Sequence, residues 1–220
     1  MIGIDLETYR PSRFLQVLDT MSHGLVHLIG DGKHYKTGTY AQWFEVCPTL
    51  RTRPKAFIGL PDVSFLPAYL NARVIPSIKY LRPGEVGVLD DVTRLYPSRV
   101  KNPELQEVIP QISHNGNLII TTGQNSQNRD IGFDRDQTVY DCHKFMSSKN
   151  ITNERPESQL HCYVGSSQIN RFSEYLGCYK GYLTYIPDFE EVLYLPEPAP
   201  WYDERLSHAL RGNILKGVSV

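Results

Sequence analysis

Hydrophobic and polar positions alternate between two regimes along this chain. Short, mostly apolar runs recur: Gly24 to Ile29, Lys55 to Leu60, Glu85 to Leu89 and Asn117 to Thr122. Each is bounded by Gly, Pro or Asp/Asn, which predicts strands buried on both faces. Between them lie stretches with helical spacing. Pro11 to Met21 places Phe14, Leu15, Leu18 and Met21 on one face, and Pro103 to Ser113 does the same with Leu105, Val108, Ile109 and Ile112. In both, a proline near the start suits the first helical turn. Gly38 to Cys47 is helix-compatible and stops at Pro48, and Thr138 to Cys142 is a weaker fifth strand. Val63 to Tyr80, broken by prolines, reads as short helices. Further on, Tyr182 to Ile186 and Val192 to Leu195 flank Pro187-Asp188-Phe189-Glu190-Glu191, the pattern of a β-hairpin. An extended tail from Pro196 to Tyr202 precedes a helix over Asp203 to Leu210.

Strands alternating with helices predict an α/β fold with a mainly parallel sheet flanked by helices, carrying a C-terminal antiparallel hairpin. The expected organisation over 1–220 is one domain: an N-terminal extension with a helix (1–22), a core (23–145), then the hairpin and tail (146–220). In such sheets ligands sit at the carboxyl ends of the strands, so the residues just after each strand carry the chemistry.

After the first strand comes Gly30-Asp31-Gly32-Lys33-His34-Tyr35-Lys36-Thr37. Gly30, Lys36 and Thr37 match G-x-x-x-x-G-K-[ST] in register, between a strand and a helix. In that motif backbone amides and the helix N-terminus bind phosphate oxygens, the lysine reaches the β/γ-phosphates and the hydroxyl holds Mg²⁺. Tyr35 stands where the second glycine belongs, and a Cβ there raises the cost of a positive φ. The third strand ends in Asp90-Asp91, apolar residues followed by two acids. Asp90 is the candidate metal ligand and Asp91 the candidate for positioning an attacking water. The fourth strand, entered through Asn115-Gly116, ends in Thr122, Gly123, Gln124 and Asn125, where a polar side chain can sense a γ-phosphate.

These features in this order resemble the FtsK–HerA branch of P-loop ATPases, over roughly Gly24 to Cys142. Within the branch the likeness is to genome-packaging ATPases of membrane-containing icosahedral viruses, with Zot-like morphogenesis ATPases as relatives. The resemblance implies a P-loop NTPase fold, ATP and Mg²⁺ as ligands, and a homo-hexamer that moves double-stranded DNA. It further implies capsid or portal partners, and a place in the host cytoplasm or the virion. It makes Lys36, Asp91 and Gln124 catalytic, with an arginine acting in trans. Arg129 is chosen for that role over Arg135 because it lies closer to the fourth strand. Arg94, Arg99 and Lys101 are candidates for contacting DNA.

Composition narrows this little. With 220 residues, 23 Lys+Arg and 24 Asp+Glu, the net charge is −1, which excludes a basic coat as a description of the whole chain. No stretch approaches the ~18 apolar residues of a membrane span. Charges at Asp5, Glu7, Arg10, Arg13 and Asp19 interrupt any secretory signal. Cys142-His143 and His161-Cys162 form a nominal two-Cys, two-His set, but adjacent ligands on a strand point to opposite faces. Two other readings stay open. One is a degenerate, non-hydrolysing P-loop assembly protein, suggested by Tyr35. The other is a DnaQ-like 3′–5′ exonuclease using Asp5 and Glu7 in Asp5-Leu6-Glu7, with Asp203 as a conceivable third ligand.

Overall fold

The computed structural model describes residues 4–5, 10–30, 35–97, 102–124, 131–134, 138–144 and 183–208. Ten strands form one sheet in the order β2-β1-β10-β9-β8-β3-β7-β6-β4-β5. The central six are parallel: β8 (Val139–Lys144), β3 (Gly24–Ile29), β7 (Leu118–Gly123), β6 (Val86–Leu89), β4 (Lys55–Ile58) and β5 (Ala72–Ile75). An antiparallel wing continues the sheet: β9 (Leu183–Ile186), β10 (Glu191–Tyr194), β1 (Ile4–Asp5) and β2 (Arg10–Pro11). The fold is α/β, mainly parallel, with the C-terminal hairpin β9–β10 where the sequence pattern put it.

Alternating side chains on each parallel strand feed two cores. On one face Val26, Leu28, Phe57, Val88 and Ile120 pack under α1 (Arg13–Thr20), α2 (Lys36–Val46) and α3 (Pro48–Thr52). On the other, Leu25, Ala56, Leu89 and Ile119 meet α4 (Val92–Leu95) and α5 (Pro103–Asn115). Helix α1 starts where Ser12 accepts the Leu15 amide, and α5 ends at Gly116, whose φ of 63° suits glycine.

Two elements differ from expectation. The Val63–Tyr80 stretch holds a strand, β5, between short 3₁₀ turns at Ala68–Leu70 and Ile78–Tyr80. Its central residues are half-exposed at the sheet edge, and Arg73 pairs with Glu85 at 2.7 Å, so no apolar run marks it. The expected terminal helix is a 3₁₀ segment, Glu204–His208, in the described part of that stretch.

At the amino end of the parallel strands, Arg53 ties three loops together by donating to the Gly84, Met21, Ser22 and Gly116 carbonyls. No helix among the described residues is long and apolar enough to cross a membrane.

Candidate nucleotide site

The parallel register brings the ends of β3, β6, β7 and β8 to one rim. Strand β7 lies between β3 and β6, so the strand that carries Thr122 near its end separates the loop after Ile29 from Asp90.

Asp90 is where these elements meet. Its Oδ1 accepts from Thr122 Oγ1 at 2.7 Å and from Thr37 Oγ1 at 3.3 Å. Thr122 Oγ1 in turn accepts the Asp91 amide at 2.8 Å. Three elements distant in sequence, the first turn of α2, the end of β6 and the end of β7, are thus joined through one carboxylate. Burial pushes the Asp90 carboxyl up to about 6, against the opposing effects of Thr122, Lys36 and Thr37.

Lys36 opens α2, and its ammonium donates to the Gly30 carbonyl at 2.6 Å, tying the start of the helix to the end of β3. Tyr35, the residue before, adopts φ 55° and ψ 26°, the left-handed conformation that the motif normally assigns to glycine. Asp31, Gly32, Lys33 and His34 lie outside the described residues.

Asp91 also has positive φ, 55°, and its carboxylate pairs with Arg94 at 3.0 Å. Gln124 stands exposed immediately after β7. The β7 residue that touches the acid is Thr122, two residues earlier. Arg129, Arg135, Asn125, Arg99 and Lys101 fall outside the described residues.

Three side chains that the motifs do not mark belong to this rim. Lys144, at the end of β8, is buried and donates to Thr184 Oγ1 at 2.8 Å; burial lowers its ammonium and nearby Lys36 lowers it further. Tyr40, one turn into α2, is fully buried, which raises its phenol, and Asp90 adds to that. Tyr202 packs on Tyr35 with ring centroids 5.4 Å apart. Register could have located Lys144, since β8 aligns His143 with Ile29. No spacing signal points to Tyr202.

The donor set fits a hard cation: one carboxylate and one hydroxyl on neighbouring elements, with no sulfur, as Mg²⁺ on a nucleotide requires. Thr37 and Asp90 are the residues that would hold it, and Mg²⁺ there would offset charge on phosphate oxygens.

The other candidate chemistries gain no geometry. Asp5 is buried in β1, where its Oδ1 accepts the Val192 amide at 3.3 Å; Glu7 lies outside the described residues. Asp203 pairs with Arg205 at 2.8 Å. Cys142 is a buried free thiol in the core, and His161 and Cys162 are outside the described residues. Among the described residues no group of three or more His, Cys, Asp or Glu could hold a metal.

No family model matches the chain, and no curated protein matches it in sequence. Solved structures similar in fold include the N-terminal domain of zonular occludens toxin from Neisseria meningitidis (15% identity, 58% of this chain and 78% of that one, TM-score 0.45). A second is the genome packaging NTPase of Sulfolobus turreted icosahedral virus 2 in complex with AMPPCP (13%, 80% and 99%, TM-score 0.48). A third is the DNA-packaging ATPase of Sulfolobus turreted icosahedral virus (14%, 79% and 98%, TM-score 0.49).

Proposed function

We propose that the chain binds Mg-ATP through Gly30 to Thr37 and hydrolyses it to drive movement of double-stranded DNA. The observation that carries the nucleotide part is the convergence of Thr37 and Thr122 on the single carboxylate of Asp90. A threonine opening the helix after a glycine-led loop, beside an acid ending a nearby parallel strand, is an arrangement suited to a metal-bound triphosphate. Lys36 releases the Gly30 carbonyl and turns to the phosphates. Thr122 holds Asp90 in place and reads the state of the site through the Asp91 amide. Asp91 orients the attacking water once free of Arg94, and Gln124 is the second polar residue at that edge. The DNA-translocating part rests on the sequence resemblance. With it come a homo-hexamer, an arginine such as Arg129 supplied by a neighbouring copy, capsid or portal partners, and a host-cytoplasmic or virion-associated location.

One observation favours a second reading, nucleotide binding without turnover: Asp91 is held 3.0 Å from Arg94 in a left-handed backbone conformation.

Thermal unfolding tests the first step, because a ligand bound only to the folded state raises stability by mass action. Mg-ATP should raise the unfolding temperature of the wild type and leave Lys36→Ala unmoved; an equal rise in both rejects the nucleotide site. Phosphate release then separates the two readings. Turnover stimulated by duplex DNA supports the motor, and binding with no turnover supports the second reading.

A further inference from the structure

The nucleotide loop enters α2 through a residue in a conformation that favours glycine. A left-handed backbone is strained for a non-glycine residue, so neighbouring contacts must hold Tyr35 there. On the carbonyl side, Thr39 fixes it twice: its amide and its hydroxyl both donate to the Tyr35 carbonyl at 2.9 Å. On the side-chain side, the ring turns back over the first turn of α2 and lies on Gly38, where a Cβ would overlap it. The Tyr202 ring then meets the Tyr35 ring at 5.4 Å between centroids, with the planes inclined at 57°.

Tyr202 is itself held by a strap that runs along the outer side of α2. Gln42 Nε2 donates to the Leu195 carbonyl at 2.9 Å and to the Glu197 carbonyl at 2.6 Å. Trp201 Nε1 donates to Glu45 Oε1, and the Tyr202 amide donates to the Ala199 carbonyl at 2.9 Å. The strap is therefore fastened to α2 at Gln42 and Glu45 and reaches the nucleotide loop at Tyr35.

We propose that Tyr202 is a positioning residue for the nucleotide site. By holding the Tyr35 ring on Gly38, it maintains the left-handed junction that aims Lys36 and the first amides of α2. The inference rests on the nucleotide reading above. A glycine in place of Tyr35 adopts this junction without help. The tyrosine does not, and in exchange its ring gives the C-terminal strap a grip on the loop. Release of that grip lets Tyr35 relax toward negative φ, which rotates the Lys36 amide and ammonium away from the phosphates.

The test is Mg-ATP affinity by calorimetry, with thermal unfolding in parallel, for wild type, Tyr202→Ala, Tyr202→Phe, Tyr35→Gly and the Tyr35→Gly/Tyr202→Ala pair. Tyr202→Ala should weaken Mg-ATP about tenfold, the factor that corresponds to 1.4 kcal/mol. Tyr202→Phe keeps the ring contact and should bind as the wild type does. Tyr35→Gly should bind at least as well as the wild type. The double variant should regain wild-type affinity while unfolding at a lower temperature than either single variant. A role for Tyr202 in stability alone predicts no such rescue. If Tyr202→Ala does not fold, Tyr202→Leu, which fills much of the space but has no ring, replaces it in the same comparison. Unchanged affinity on losing the Tyr202 ring, or a double variant no better than Tyr202→Ala, overturns the proposal while the nucleotide reading stands. A wild type that binds no Mg-ATP removes both.

Discussion

Asp90 is a carboxylate held in a place where charge is costly, at the point where Mg²⁺ is proposed to bind. Its carboxyl is raised to about 6 chiefly by burial, so at neutral pH the folded apoprotein keeps a charge in a place that disfavours it. The folded state binds the Asp90 proton more tightly than the unfolded chain. This group therefore adds stability below pH 4, and the addition is lost as pH rises through about 6. Asp90→Asn keeps an oxygen to accept from Thr37 and Thr122 and carries no charge. It should stabilise the apoprotein at pH 7 by up to about 3 kcal/mol. The gain should shrink as the pH falls toward 4, and denaturant unfolding of both proteins across that range measures it. A gain independent of pH would mean that the carboxylate is not desolvated. Mg-ATP should reverse the order at pH 7 by stabilising the wild type more than the variant.

At the scale of elements, α2 is the informative case. Residues 37–44 are all buried, including Thr39 and Gln42, so the helix has no polar face. The sheet covers one side and the strap the other, and the Gln42 amide nitrogen donates to two strap carbonyls. Gln42→Leu removes both donors and leaves the Leu195 and Glu197 carbonyls without them. The expected cost is about 1–3 kcal/mol in urea unfolding, with easier proteolysis after residue 195. A neutral substitution would show that the strap is held elsewhere. The same helix marks how much was legible in the sequence. β3 and β7 were plain because strands buried on both faces are continuous apolar runs. The strand ends at Gly30 and Asp90 were legible because the apolar runs stop there, and the structure brings Thr37 to Asp90 across 53 residues. β5 was not, because an edge strand carrying Arg73 and bounded by Asn71 and Pro76 has no apolar signature. Nor was the cover over α2, since its partners are about 150 residues away in sequence. Of Thr122, Gln124 and Asn125, the three polar candidates at the end of β7, Thr122 is the one bonded to Asp90; strand ends read from sequence locate a rim but not which side chain faces inward.

Across the whole molecule, the first and last described strands close one sheet: Ile4 pairs with Tyr194 and Asp5 with Leu193. Glu191 secures this wing. Its buried carboxylate accepts the Arg13 amide at 2.6 Å, the Phe14 amide at 3.1 Å and the Ser12 hydroxyl at 2.8 Å, all at the start of α1. A negative charge there also suits the helix dipole. Glu191→Ala leaves those donors buried without their acceptor and should cost about 2–4 kcal/mol. That corresponds to a fall of roughly 5–15 °C in unfolding temperature by calorimetry. Glu191→Gln should recover part of the loss, and equal losses from both would assign the effect to charge alone.

The Arg13–Glu191 bond spans 178 residues, and that separation sets a timetable for a chain still being made. The carboxylate that completes the N-terminus of α1 is translated roughly 10–35 s after the helix itself at ordinary elongation rates. Through that interval Phe14, Leu15 and Leu18 have neither the hairpin nor a finished sheet to cover them. The growing polypeptide presents a sticky amphipathic segment, one that a chaperone can occupy and that synthesis of β10 finally withdraws.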